Sequence, residues 1–223
     1  MGSMTELKAA DGHKLAAYRA EPAGKARGAV VVIQEIFGGN THIRSVADGY
    51  AADGYLVIAP AMFDRVQRNY DTGYSQPEIQ AGIALMQKLD WKEAMQDAAA
   101  ALEAVKAAGK VGIVGYCWGG TVTWVAAARL SGLACASPYY GGGMPGFIGE
   151  KPKCPTMCHF GEQDQSPTLA QAKAIAAAHP EITAHYYVGA GHGFNCDQRG
   201  SYNAAASKLA RERTLAFFRQ HVG

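Results

Sequence analysis

Three residues of this 223-residue chain have types and settings that could do chemistry: Cys117, Asp164 and His192. Cys117 lies in Gly115-Tyr116-Cys117-Trp118-Gly119-Gly120, after an apolar run through Val111, Ile113 and Val114 and before a helical pattern through Val122, Trp124, Val125 and Ala126. A nucleophile at such a strand-to-helix turn is held in a strained backbone, and the residues two before and two after it must be small for strand and helix to approach. The helix N-terminus also aims free amide donors and its positive dipole end at the sulfur, which favours a thiolate and then an oxyanion. Asp164 closes Gly161-Glu162-Gln163-Asp164 after a strand-like Thr156 to Phe160, and His192 sits in Gly189-Ala190-Gly191-His192-Gly193 after Thr183 to Val188. A free thiol is only about a few per cent ionised at neutral pH, and a neighbouring imidazole raises that fraction by taking the proton. A carboxylate then fixes the imidazole tautomer and stabilises its cation. Taken singly, each residue has a structural alternative, namely a small buried cysteine, a turn aspartate and a loop histidine. Placed at three strand ends in the order nucleophile, acid, base, they read as one catalytic set.

The surrounding pattern supplies elements able to hold them. Leu7 to Ala9 and Leu15 to Arg19 flank Asp11-Gly12 as an edge hairpin, and Ala29 to Ile33 is a continuous β-branched run of the kind covered on both faces in a parallel sheet. That run leads into Gln34-Glu35-Ile36-Phe37-Gly38-Gly39, at the strand end where α/β sheets place ligands. A helix is expected from Ile43 to Asp53, a strand over Tyr55 to Ala59, and an irregular excursion from Met62 to Pro77 carrying Arg65 and Arg68. Helices over Glu78 to Leu89 and Trp91 to Ala108 form one crossover, Leu133 to Tyr139 is a strand, and Pro167 or Thr168 opens a helix ending at His179. Asn203 to His221 reads as a terminal amphipathic helix with Leu209, Leu215, Phe217 and Phe218 on its apolar face. The expected fold is a mostly parallel twisted α/β sheet with helices on both faces, in one domain over 4–223. Met1 to Ser3 look like an expression scar. The amides of Trp118 and Ile36 are the expected oxyanion donors. His159, inside a strand, reads as a core residue, and His13, His42, His179, His185 and His221 read as surface or turn residues.

Composition excludes several partners. With 21 basic and 19 acidic residues interspersed, a formal charge of +2 gives no footprint for nucleic acid or an anionic membrane. No apolar run approaches the roughly 18 residues of a spanning helix, and the N-terminus lacks a secretion-signal layout. A cytoplasmic monomer is expected. The five cysteines, at 117, 135, 154, 158 and 196, form no CxxC pair and read as reduced thiols. Cys154 and Cys158 lack the second Cys or His pair that a zinc site needs.

Together with Glu212-Arg213-Thr214, the motifs around Glu35, Cys117, Asp164 and His192 make the chain resemble the dienelactone hydrolase family (carboxymethylenebutenolidases), cysteine members of the α/β-hydrolase fold, from about Thr5 onward. The resemblance implies a Cys-His-Asp triad acting through a thioester on a small lactone or ester, with no metal and no organic cofactor. It implies opening of 4-carboxymethylenebut-2-en-4-olide to maleylacetate. It also implies that Glu35 contacts the nucleophilic cysteine and moves when substrate binds, and a carboxylate beside a thiol does disfavour its ionisation. The sequence departs from the family where arginines hold the substrate carboxylate: one position is Cys196, and the other falls near Ile79. Arg65, Arg68 and Arg199 are the arginines left to take their place. If none reaches the site, neutral or more apolar esters and lactones should be preferred. The alternative activity class is a non-catalytic binder or receptor on the same fold.

Overall fold

The computed structural model of the chain describes residues 1–223. Eight strands form one sheet: β1 (Ser3–Lys8), β2 (Lys14–Ala20), β3 (Ala29–Ile33), β4 (Leu56–Pro60), β5 (Val111–Tyr116), β6 (Leu133–Tyr139), β7 (Met157–Gly161) and β8 (Thr183–Tyr187). Their spatial order is β1-β2-β4-β3-β5-β6-β7-β8. The β1–β2 hairpin turns at Gly12, whose φ of 90° only glycine adopts freely, and β2 also pairs antiparallel with β4. From β4 through β8 every pairing is parallel. This is the mostly parallel sheet that the strand and helix patterns predicted, in the α/β-hydrolase architecture that the resemblance implied.

Every residue of β3, β4 and β5 is buried, because helices cover both faces of the sheet. Side chains alternate across a strand, so Val31 and Ile33 join a cluster with α3 (Trp91–Val105), α4 (Trp118–Arg129) and α5 (Leu169–Ala178). Val30 and Val32 join the opposite cluster with α1 (Thr41–Ala52) and α6 (Ala204–His221). The remaining helix, α2 (Gln76–Met86), lies over the C-terminal edge of the sheet. Polar side chains set where the helices begin: Asn40 accepts from Ile43 N–H, Asp90 from the first turn of α3, and Asn203 from Ala206 N–H. Ser75 and Glu78 form a capping box that starts α2 two residues earlier than the pattern predicts, with Pro77 accommodated in its first turn. No helix is long and apolar enough to cross a membrane.

Three expectations need correction. Leu209 is exposed, because the buried stripe of α6 runs through Ala206, Ala210, Thr214, Phe217 and Phe218. His42 is buried on the inward face of α1, where its Nδ1 lies 3.3 Å from Asp197. His179 is buried as well, with Nε2 at 2.7 Å from the Ile148 carbonyl and its ring edge-on to Trp124. His159 is a core residue as expected, bonded to the Tyr187 and Thr214 hydroxyls.

Candidate active site

The order β4-β3-β5 reverses the direction in which the sheet is wound, and the crevice outside the strand ends at such a point is where α/β sheets bind ligands. Cys117 projects there. It joins β5 directly to α4 with φ 56° and ψ −121°, a strained conformation for a residue with a side chain. Two glycines make this turn possible. A Cβ on Gly115 would collide with the Gly119 carbonyl and Thr123 Oγ1, and one on Gly119 would collide with the carbonyls of Ile33 and Gln34. The Cys117 amide donates to the Tyr139 carbonyl at 3.1 Å, anchoring the turn to the neighbouring strand. Trp118 is the first residue of α4, so its N–H has no partner within the helix. The Ile36 N–H, in the loop after β3, makes no hydrogen bond within the protein. These are the two amides expected as oxyanion donors.

Asp164 and His192 come from the loops after β7 and β8. His192 Nδ1 lies 3.0 Å from one Asp164 carboxylate oxygen and 3.2 Å from the other. Asp164 is buried and also accepts from the Ser166 amide at 2.7 Å, so its orientation is fixed from two sides. The other face of the imidazole meets the Cys117 sulfur. Burial works against a charged His192, but the sulfur and the Asp164 carboxylate overcome it and hold its pKa well above the usual imidazole value. The arrangement therefore favours the charged form of the imidazole beside the Cys117 sulfur.

The three side chains open into a cavity of about 830 Å³ whose wall is largely apolar, with Ile36, Ile79, Ile83, Met86, Trp91 and Trp118 among its residues. Of the three arginines singled out from the sequence, only Arg199 lines it. Its Nη1 is 3.4 Å from Glu35 Oε1, and its guanidinium lies over the rings of Phe37 and Tyr74 at 5.4 and 5.9 Å. Arg65 is not a site residue. Asp97, on α3, takes its Nε and Nη2 at 2.9 and 2.8 Å, and Asp11 takes Nη1 at 2.7 Å. Arg68 is exposed and donates to the Lys14 carbonyl, also away from the cavity. Both lie in the first part of the excursion after β4, which packs against the β1–β2 hairpin edge, whereas Tyr74 farther along it lies beside Arg199.

Glu35 is buried, and the hydrogen-bond partner of its carboxylate is Arg199 rather than Cys117. Its second oxygen, Oε2, is buried without a partner. Beside it lie His42 and Cys196, both buried, with one potential ligand atom from each of the three residues within 4.8 Å of the others. Sequence reasoning missed this grouping. The available signals were that His42 follows the Glu35 loop closely and that Cys196 lies on the same loop as His192.

The profile of the dienelactone hydrolase family matches residues 15–222. A carboxymethylenebutenolidase of Pseudomonas putida is 32% identical over 95% of this chain and 93% of its own length. A crystal structure from Klebsiella pneumoniae, described as that of a "putative dienelactone hydrolase", superposes with a TM-score of 0.83 at 26% identity, covering 99% of both chains. A dienelactone hydrolase from Anabaena variabilis shares the fold, with a TM-score of 0.73 at 17% identity over 100% of this chain and 99% of that one. By fold, matched length and relatives, the chain belongs to the dienelactone hydrolase family and is a hydrolase of that type.

Proposed function

We propose that the protein hydrolyses lactones or small esters through a thioester on Cys117. The observation that carries this reading is the Cys117 sulfur held against His192 at a strained turn while Asp164 grips the far nitrogen of the same ring. In the first step the thiolate attacks the carbonyl carbon and the carbonyl oxygen becomes an oxyanion between the amides of Ile36 and Trp118. Collapse breaks the carbon–oxygen bond of the ester, and the His192 imidazolium gives its proton to the leaving alkoxide. In a lactone that alkoxide stays tethered to the acyl group. Neutral His192 then takes a proton from water, hydroxide adds to the thioester, and collapse of the adduct returns the thiolate and releases the carboxylic acid, which loses its proton to solvent. Asp164 keeps Nδ1 protonated throughout, so Nε2 is the nitrogen that exchanges protons with sulfur, substrate and water.

The substrate class follows from the cavity. Its apolar wall suits an unsaturated or aromatic ring, and Arg199 is the one arginine lining it, able to hold a substrate carboxylate. A lactone of the 4-carboxymethylenebut-2-en-4-olide type, or a related apolar ester, fits that lining. Glu35 is assigned as the group that restrains thiolate formation when turned toward Cys117, while its bond to Arg199 holds it away from the thiol. The test is hydrolysis of p-nitrophenyl acetate and of a dienelactone by the wild type and Cys117→Ala. Turnover should vanish in the variant, and unchanged turnover would overturn the assignment. Cys117→Ser should also be poor, because a serine hydroxyl ionises far less readily than a thiol.

A further inference from the structure

We propose that Glu35, His42 and Cys196 form a binding site for a thiophilic divalent cation, with Zn²⁺ the best match to a carboxylate, imidazole and thiolate donor set. The three residues come from the loop after β3, the first turn of α1 and the loop after β8, so the fold rather than local sequence assembles them. All three are buried, and one potential ligand atom from each lies within 4.8 Å of the others.

Two independent features point to a ligand at their centre. First, Glu35 Oε2 and His42 Nε2 are buried and have no hydrogen-bond partner, which proteins rarely tolerate. Second, the opposite nitrogen of His42, Nδ1, lies 3.3 Å from the Asp197 carboxylate. That contact sets the ring so that Nε2 is the free lone pair, the carboxylate–imidazole arrangement found behind metal-ligating histidines. Glu35 is oriented in the same way, with Oε1 on Arg199 and Oε2 left free.

The geometry is within reach. A tetrahedral zinc ion about 2.0–2.3 Å from each donor sets the donors about 3.3–3.5 Å apart, so a separation of up to 4.8 Å closes by small side-chain rotations. The Tyr74 hydroxyl beside Cys196, or a water, can take the fourth position. On binding, the Cys196 thiol loses its proton to solvent and the sulfur bonds to the metal. The thiolate and the Glu35 carboxylate then balance the dication, and Arg199 keeps its own partner. A small polar cavity of about 170 Å³, lined by His42, Asp197 and Arg211 among others, borders the cluster on the Asp197 side of the His42 ring.

Cation binding would also fix the Glu35 carboxylate and so tie its proposed gating role to metal supply. That consequence rests on the hydrolase reading, whereas binding itself does not. The test therefore uses the full chain carrying Cys117→Ala, which removes the catalytic thiol as a competing ligand. Calorimetric titration with ZnCl₂ should give one equivalent, and Co²⁺ should give a thiolate-to-metal charge-transfer band in the near ultraviolet. Adding Cys196→Ser should abolish the band and weaken Zn²⁺ binding on the order of 100-fold or more, and His42→Gln should weaken it comparably. Asp197→Asn, which alters only the support of His42, should weaken it by about 10–100-fold. Absence of a saturable equivalent in Cys117→Ala, Co²⁺ bound without a thiolate band, or Zn²⁺ affinity unchanged by both Cys196→Ser and His42→Gln would each overturn the site.

Discussion

Replacing Arg199 should reverse the enzyme's choice between a carboxylate-bearing substrate and its methyl ester. The guanidinium lines the cavity, but Glu35 already occupies one edge at 3.4 Å, leaving the other edges for substrate. At an effective dielectric of about 20, a substrate carboxylate about 4 Å from the guanidinium gains roughly 4 kcal/mol. The same carboxylate about 7 Å from Glu35 loses roughly 2.4 kcal/mol, so the net gain is about 1.8 kcal/mol, or on the order of 20-fold in kcat/KM for acid over ester. Arg199→Met keeps the apolar stem, removes the attraction and leaves the repulsion. The acid should then lose at least about tenfold in kcat/KM relative to the ester, whose own rate falls as the freed Glu35 turns toward Cys117, and the acid-to-ester ratio should drop below one. Arg65→Met should behave differently. It strands the buried Asp97 carboxylate, which should cost about 3–5 kcal/mol of stability and lower Tm by about 6–20 °C with the acid-to-ester ratio unchanged. The assay is kcat/KM for a matched acid and methyl ester pair on the wild type and both variants, alongside thermal unfolding. A ratio that collapses in Arg65→Met and persists in Arg199→Met would refute the reasoning.

Asp164→Asn should lower kcat by about 10⁴-fold and shift the alkaline limb of the kcat/KM profile to lower pH. Asp164 raises the His192 pKa, so without it the imidazolium is lost earlier as pH rises, and a fixed limb would contradict that role. Glu35→Gln should make Cys117 react faster with iodoacetamide in the absence of substrate, and equal rates would remove Glu35 from control of the thiol. Gly119→Ala places a methyl group against the carbonyls of Ile33 and Gln34, pushing the start of α4 away from the Ile36 loop. It should cost about 10²–10³ in kcat, the effect of losing one oxyanion donor, while leaving KM within a few fold.

What was legible in the sequence was local. Ala29 to Ile33 reads as a strand from its own β-branched residues, and the setting of Cys117 follows from Gly115 and Gly119 on either side. Asp164 and His192 were visible because each ends a strand pattern inside a glycine-marked turn. What was not legible depends on elements far apart in the chain. Arg65 and Arg199 look alike as isolated charges, yet Asp97 on α3 captures one while the loop after β8 delivers the other to the cavity. His42 reads as a surface residue until the pitch of α1 turns it inward toward Cys196. Leu209 misleads in the opposite sense: it is apolar, but the stripe of α6 that meets the sheet is set by Ala206, Ala210 and Thr214.

The central claim, covalent catalysis by Cys117, is most directly tested by rapid acid quench of the enzyme turning over a slow p-nitrophenyl ester, followed by intact and peptide mass spectrometry. The account predicts a mass gain equal to the acyl group, carried on the peptide containing Cys117, appearing with the burst of p-nitrophenol and absent from Cys117→Ala. An acyl group on another residue such as Ser166, or hydrolysis continuing in Cys117→Ala at the wild-type rate, would contradict it.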